Sequence, residues 1–210
     1  MHKRSAVAVL RRSVAGKSKE GRGMKKALAL LLLTAGLVAV VAASVAFAGD
    51  DEGKNSFKAT LNGYNEVVGS SAAGDSGSVS TGARGTFRAK LTNDGTALKF
   101  TLTYSGMEGG TVTQAHPHFA QSHVGAGVFG FLCGGPKPAC PTPGGTVEGT
   151  WTAADVIGPA GQGVAAGSFG EFVRALRAGA VYINVHSNGA TPSYPEGEIR
   201  GQVSGGGDGD

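Results

Sequence analysis

The chain has 210 residues, of which 40% are hydrophobic, 16% are charged and 37 are glycine. Its formal net charge is +4, but nine of its 19 lysines and arginines and only one of its 15 acids lie in residues 1–48. The remainder carries ten basic and 14 acidic side chains, a net charge of −4, which removes the main argument for nucleic-acid binding. That remainder is long enough to bury one hydrophobic core.

Residues 24–48 have the three parts of a secretory signal peptide. Two lysines form a positive start, a run rich in Leu, Val and Ala follows, and Ala46 and Ala48 are the small residues that a signal peptidase recognises. We predict cleavage after Ala48. The apolar run is near the lower length limit for a membrane span, so an uncleaved anchor is the alternative. Once the leader is removed, no second long apolar run remains to hold the protein in a membrane.

Residues 1–23 are basic and rich in Ser and Gly, without apolar periodicity. We interpret them as an extension upstream of the true start codon, which would then be Met24 rather than Met1. The pair Arg11-Arg12 raises the alternative of a twin-arginine leader. However, no hydrophobic run follows that pair directly.

Several short segments downstream alternate between apolar and polar residues, which predicts β-strands. The clearest is an antiparallel hairpin with Asn93-Asp94-Gly95 as its turn. The predicted strands are Phe57–Leu61, Thr86–Leu91, Leu98–Tyr104, Thr111–Phe119, Val128–Leu132, Thr146–Trp151, Ala180–His186 and Glu198–Val203. A short helix is predicted from the capping-box spacing of Ser168 and Glu171 to a terminating Gly179.

This pattern predicts an all-β fold: an antiparallel, Greek-key-like β-sandwich of about eight strands with one short helix. The domain would occupy residues 57–203. A polar segment at 49–56 precedes it, and a flexible Gly/Asp tail at 204–210 follows. Trp151 is predicted to lie in the core.

The two cysteines, Cys133 and Cys140, lie close together among Gly and Pro residues. In an oxidising compartment they are predicted to form a local disulfide. A metal-thiolate pair is the alternative. Because the ring is short, its stabilisation is expected at or below the lower end of the usual ~2–4 kcal/mol.

Histidines are the residues with the most specific chemistry. His116 and His118 are two apart on a predicted strand, so their side chains project from one face. Together with His186 they could bind one ion, and neutral imidazole suits copper or zinc. The alternative is that they are structural and hydrogen-bonded. His123, in a loop, is either an extra ligand or a solvated residue, and Pro117 indicates an edge strand or a bulge.

The strand that ends at His186 also places Tyr182 and Asn184 on its polar face. This predicts that His186 lies on an outer surface, where a site covered by loops could form. Near the following strand, Glu196 and Glu198 are predicted to make surface ion pairs with Arg200, each of small energetic value.

Six short segments occur in an order that resembles the CHRD (chordin-type) domain over roughly Phe57 to Val203. They are Phe57–Gly63, Tyr104–Gly106, Ala115–Phe119, Trp151–Val156, Tyr182–Ser187 and Gly197–Gln202. The resemblance implies an extracellular β-sandwich. In chordin such domains belong to a secreted binder of growth factors, and in bacteria they occur in secreted proteins of largely undefined activity.

The His-x-His strand and the late Asn-Val-His strand are also similar to the copper-ligand arrangement of copper/zinc superoxide dismutase. This similarity implies that His116, His118 and His186 would be copper ligands. The CHRD family usually has an aliphatic residue where Pro117 stands, which puts the local strand geometry in question. The bridging histidine, zinc-site aspartate and anion-guiding arginine of the dismutase have no assigned positions here, so dismutase activity is not predicted.

Two functional hypotheses follow. The sequence contains no Ser nucleophile motif, phosphate-binding loop or dinucleotide fingerprint. The leading hypothesis is therefore a secreted or cell-envelope-associated, non-catalytic binding or structural module whose partner is an extracellular protein or glycan. The alternative is a copper-binding or copper-dependent redox protein that uses His116, His118 and His186.

Overall fold

The computed structural model describes residues 53–69 and 77–205. The predicted leader, its upstream extension and most of the C-terminal tail lie outside the described residues. The strands are β1 (Ser56–Asn62), β2 (Arg84–Leu91), β3 (Leu98–Ser105), β4 (Thr111–Phe119), β5 (Gly145–Trp151), β6 (Val181–Asn188), β7 (Tyr194–Gln202) and β8 (Ser204–Gly205). The helices are α1 (Phe169–Arg177) and three 3-10 turns at Gly63–Asn65, Ala153–Asp155 and Ala160–Gln162.

The strands pair antiparallel throughout and form one curled sheet in the order β4-β6-β7-β1-β2-β3-β5, with β8 added to β1. The short connection from β3 to β4, residues 106–110, joins strands near opposite ends of this order, which the curl of the sheet brings close together. The predicted all-β class, with about eight strands and one short helix, is confirmed. No helix in the part of the chain described above has the length and apolarity that a bilayer span needs.

The predicted hairpin is formed by β2 and β3, whose alternation buries one face and exposes the other. Its loop is residues 92–97, longer than a two-residue turn. Asp94 accepts hydrogen bonds through Oδ1 from the Thr92 hydroxyl (2.6 Å) and the Thr96 amide (3.1 Å). Gly95 supplies the left-handed residue, with a φ of 71°.

Aromatic side chains pack α1 against the inner face of the sheet. Phe172 of α1 lies 5.0 Å from Trp151 and 4.9 Å from Phe129, measured between ring centroids. Trp151 is 1% exposed, which confirms its place in the core. Its indole N–H donates to the carbonyl oxygen of Phe131 at 2.9 Å, so this large side chain is buried without an unsatisfied donor.

The helix follows its predicted bounds, but its predicted cap is wrong. Ser168 is the N-cap residue, yet its side chain makes no capping hydrogen bond. The Glu171 carboxylate pairs instead with Arg174, one turn further on. Gly179, with a φ of 64°, follows the end of the helix as predicted.

The predicted strand Val128–Leu132 is also wrong. This segment makes only isolated bridges to β4, one between Val128 and His118 and one between Cys133 and Ala115. The backbone of residues 153–155 approaches it closely at Gly130, where a Cβ atom would lie 2.2 Å from the carbonyl oxygen of Asp155. The segment ends in the predicted disulfide between Cys133 and Cys140, which is present.

Candidate metal centre

The pairing of β4 with β6 brings the three predicted histidines together. His116 lies opposite Asn184, and His118 lies opposite Tyr182. Since alternate residues share a face, His186 projects beside Asn184 toward the two histidines of β4. Ring nitrogens of the three histidines all lie within 4.8 Å of one another, and the three side chains are buried.

Backbone carbonyls determine which nitrogen carries the proton on two of the rings. The Nδ1 atom of His118 lies 2.8 Å from the carbonyl oxygen of Ala126, and Nδ1 of His186 lies 2.9 Å from that of Pro195. A carbonyl oxygen only accepts hydrogen bonds, so both Nδ1 atoms are donors. In the neutral rings, the Nε2 atoms therefore carry lone pairs.

Those lone pairs converge on a further oxygen. Oδ1 of Asn184 lies 2.9 Å from Nε2 of His118 and 3.0 Å from Nε2 of His186. The amide is oriented by Asn184 Nδ2, which donates to the carbonyl oxygen of Glu196 at 3.3 Å. Nδ1 of His116 lies 3.0 Å from Nε2 of His186. A proton on Nδ1 of His116 would make this contact a hydrogen bond, but it would leave the two contacts with Asn184 without a proton. In the neutral rings the two contacts with Asn184 oppose acceptor to acceptor, and a cation bound by these nitrogens and this oxygen would relieve that opposition.

Burial keeps the imidazoles in the form that binds metal. Burial and the two neighbouring histidines lower the pKa of His116 to about 3, and burial lowers the pKa of His118 to about 4. Burial also lowers the pKa of His186. All three rings are therefore neutral at pH 7, as a metal ligand must be.

Aromatic contacts limit the movement of the rings. His116 packs edge-on against Phe131, with ring centroids 4.6 Å apart. His118 stacks on Tyr182 at 4.5 Å and an interplanar angle of 5°. The guanidinium of Arg200 covers the Tyr182 ring at 3.3 Å from its centroid, which makes a three-layer stack.

The predicted outer surface around His186 is wrong. Alternation correctly places Tyr182, Asn184 and His186 on one face, but all three are buried. Loop residues cover them: Arg200 Nη2 donates to the carbonyl oxygens of Gln121 and Val124, at 3.0 Å each. The side chains of β6 from Val181 to Ser187 are thus buried on both faces of the sheet.

The predicted surface ion pairs on β7 are wrong for the same reason. Glu198 is fully buried and Arg200 is 1% exposed. The Glu198 carboxylate accepts hydrogen bonds from the Thr81 hydroxyl (2.7 Å), the Glu108 amide (2.7 Å) and the Ser187 hydroxyl. The prediction assumed that water solvates this carboxylate. Hydroxyl and amide groups of the protein instead donate the hydrogen bonds that the buried carboxylate needs.

Sequence reasoning missed two buried residues behind the histidines. For Asn184 a signal existed, because it lies two residues before His186 on the same face. Glu66 follows a 3-10 turn, and no sequence pattern marked it. Its Oε1 accepts the Val67 amide at 3.0 Å, its Oε2 is without a hydrogen-bond partner among the described residues, and burial raises its pKa to about 7.

The structure does not bring His123 to this cluster. His123 is exposed, and its backbone is left-handed, with a φ of 64°. The cluster of ring nitrogens contains only the other three histidines of the described residues.

The described part of the chain is thus an all-β domain with three converging, buried imidazoles. The family model of the CHRD domain matches residues 57–203. The chain belongs to the CHRD domain family, and the resemblance noted from its sequence is confirmed. Comparison with curated proteins and with solved structures gave no match.

Proposed function

We propose that this chain is a secreted CHRD-domain protein that binds a transition-metal ion, copper, through His116, His118 and His186. The observation that carries the proposal is the convergence of three buried imidazoles, whose ring nitrogens lie within 4.8 Å of one another, with the amide oxygen of Asn184 beside two of them. The domain then acts as a binding module, in agreement with the non-catalytic role expected from its sequence. The metal is its ligand, and the protein holds or delivers it.

The donor set fits copper better than the hard cations. Imidazole nitrogens suit copper and zinc, whereas calcium and magnesium prefer several oxygen ligands. Among divalent first-row ions, a given nitrogen site binds copper most tightly. The carbonyls of Ala126 and Pro195 orient two of the rings, as outer partners do in metal proteins.

Three observations support export. Residues 24–48 have the pattern of a signal peptide, the domain contains a disulfide, and the chain belongs to the CHRD family. We expect the exported protein to begin at Gly49, which N-terminal sequencing of material from outside the cytoplasm measures. Cytosolic protein with an intact leader would contradict this part of the proposal.

The metal proposal is tested on exported protein loaded with Cu(II) and dialysed at neutral pH. Wild type should retain copper in stoichiometric amount, with nitrogen ligands visible by electron paramagnetic resonance. The variants His116→Ala and His186→Gln should retain little. The matched control is His123→Ala, which removes a histidine outside the cluster and should bind like wild type.

Two further measurements decide the interpretation. Circular dichroism and thiol titration establish whether each variant is folded with its disulfide intact. If folded His116→Ala retains as much copper as wild type, or if wild type retains none, the metal proposal fails. A parallel Zn(II) loading identifies the preferred ion, and tighter zinc than copper binding overturns the choice of copper.

A further inference from the structure

The exposed side of the hairpin carries a regular array of cations. We call the side chains of Lys58, Arg84, Arg88, Lys90 and Lys99 the basic face. They lie on the adjacent strands β1, β2 and β3, and each is exposed. The same alternation that directs the apolar side chains of these strands into the core directs these cations outward.

The array places like charges next to each other. Lys58 lies directly opposite Arg88, and Lys90 lies directly opposite Lys99. Like charges at opposed positions of an antiparallel pair destabilise it. Stability of the sheet therefore gives no reason for this arrangement, and a role in binding does.

The concentration of charge is local. Residues 49–210 have a net charge of −4, yet the basic face holds five of their ten cations. Among the described residues, Lys137 pairs with Asp155 and Arg174 pairs with Glu171. Lys58, Arg84, Arg88 and Lys99 have no carboxylate partner in this part of the chain, and Glu148, which borders the face, contacts the Thr101 hydroxyl at 3.4 Å.

The dimensions of the basic face suit an extended ligand. From Arg84 to Lys90 the strand runs about 20 Å, and three strands span about 10 Å. A shallow groove of about 470 Å³ lies between Lys58, Arg88 and Lys99. Exposed threonine hydroxyls, such as that of Thr86, lie between the cations and can hydrogen-bond a polyol.

We propose that the basic face binds an acidic polysaccharide outside the cell. Its cations would pair with the sulfate or carboxylate groups of the polymer, and the threonines would bond to its hydroxyls. Protein interfaces, membrane insertion and stacking of single-stranded nucleic acid each use exposed aromatic or apolar anchors. The large exposed hydrophobic residues of the described chain are Tyr64, Val124 and Ile157, and none of them is on this face.

The test measures the affinity of the exported protein for dextran sulfate and for alginate, at several salt concentrations. Binding should weaken as salt rises. The double variant Arg88→Gln/Lys99→Gln should bind about tenfold more weakly, with a shallower salt dependence. Lys137→Gln/Arg174→Gln removes the same net charge from cations that are already paired, and it should bind within about twofold of wild type.

The outcomes separate the possible ligands. Preference for dextran sulfate or for alginate shows whether sulfate or carboxylate is the recognised group. If both double variants lose the same affinity for the polysaccharide, binding depends on net charge and not on the basic face, and the proposal is overturned. Tighter binding to duplex DNA, to phosphatidylserine vesicles or to polyglutamate than to either polysaccharide also overturns it. Copper binding should be unchanged in both variants, since the basic face is independent of the proposed metal site.

Discussion

Asn184 links two of the three histidines, His118 and His186, to the rest of the domain. Its amide oxygen contacts Nε2 of His118 and of His186, while its amide nitrogen is held by the carbonyl of Glu196. A side chain held from both ends positions the atoms around it with little freedom. We therefore regard Asn184 as a positioning residue of the proposed copper site.

We expect Asn184→Leu, which keeps the volume and removes the amide, to weaken copper binding about 10–100-fold. Asn184→Asp is the matched control, because it keeps an oxygen at the same position, and it should bind at least as tightly as wild type. Competition with a chelator of known affinity measures both values. Unchanged copper affinity in folded Asn184→Leu would remove Asn184 from the site.

Irregularities of the strands, rather than their regular parts, build the surroundings of the site. β6 and β7 lose register between Val185 and Ser187. Two carbonyls of the irregular stretch, those of Pro195 and Glu196, hold His186 and Asn184. Bulges of this kind are common beside functional sites because they redirect backbone groups away from the ladder.

Pro117 is tolerated on β4 for a related reason. β4 is the edge strand of the sheet, as its proline indicated. The Pro117 carbonyl accepts the Phe129 amide at 2.8 Å on the outer side, away from β6. The Phe129 carbonyl accepts the Ile157 amide instead of one from residue 117. The missing donor of Pro117 therefore leaves no gap in the pairing of β4 with β6.

Gly197 makes the irregular stretch of β7 possible. Its φ is 138°, and a Cβ atom there would lie 2.3 Å from Oε2 of Glu66 and 2.8 Å from Nδ2 of Asn184. We expect Gly197→Ala to lower the free energy of unfolding by about 1–3 kcal/mol and to weaken copper binding. Urea denaturation and chelator competition measure the two effects.

The control for this prediction is Gly170→Ala in α1. That position is exposed, and a Cβ atom there meets no atom within 4 Å. Alanine favours the helix over glycine, so the free energy of unfolding should stay the same or rise by about 0.5–1 kcal/mol. If Gly197→Ala is as stable as Gly170→Ala, the close approach of Glu66 and Asn184 does not require a glycine at position 197.

For the whole molecule, the buried titratable groups make stability depend on pH. The pKa values of His116 and His118 are about 3 and 4 in the folded chain, below the ordinary value of 6.5. Below pH 6.5 the unfolded chain therefore binds protons that the folded chain does not. We expect metal-free protein to lose up to about 1.4 kcal/mol per pH unit for each such histidine as the pH falls from 6.5 toward 4.

Glu66 acts in the opposite direction. Its folded pKa of about 7 lies above the ordinary 4.5, so its contribution to stability is lost as the pH rises from 4.5 through 7. Glu66→Gln should therefore be more stable than wild type at pH 8, by about 1–3 kcal/mol, and equal to it near pH 4.5. Urea denaturation across this range measures both trends. A wild-type curve that is flat between pH 4.5 and 6.5, or a less stable variant at pH 8, would contradict the account.

The same burial changes the pH range expected for copper binding. An exposed imidazole loses metal below about pH 6, because protons compete for its nitrogen. Here the folded rings bind protons only at lower pH, so copper should remain bound until the fold itself weakens. Copper release and unfolding should then follow the same pH profile.

Local pattern alone determined much of this protein. Two-residue alternation identified seven of the eight strands, including the hairpin of β2 and β3, because a strand of a half-buried sheet must direct its apolar side chains to one face. Spacing also identified His116 and His118 as neighbours on a face, and proximity along the chain identified the pair Cys133 and Cys140. Each of these properties depends on residues close in sequence.

Only the tertiary structure decided which faces are buried. Alternation reports on which side of a strand a residue lies, but it does not report what covers that side. Loops from other parts of the chain cover Glu198, Arg200 and His186, so residues predicted at the surface are inside. The proximity of Glu66 to Asn184 and the joining of three strands into the basic face likewise depend on long-range packing, which no local pattern encodes.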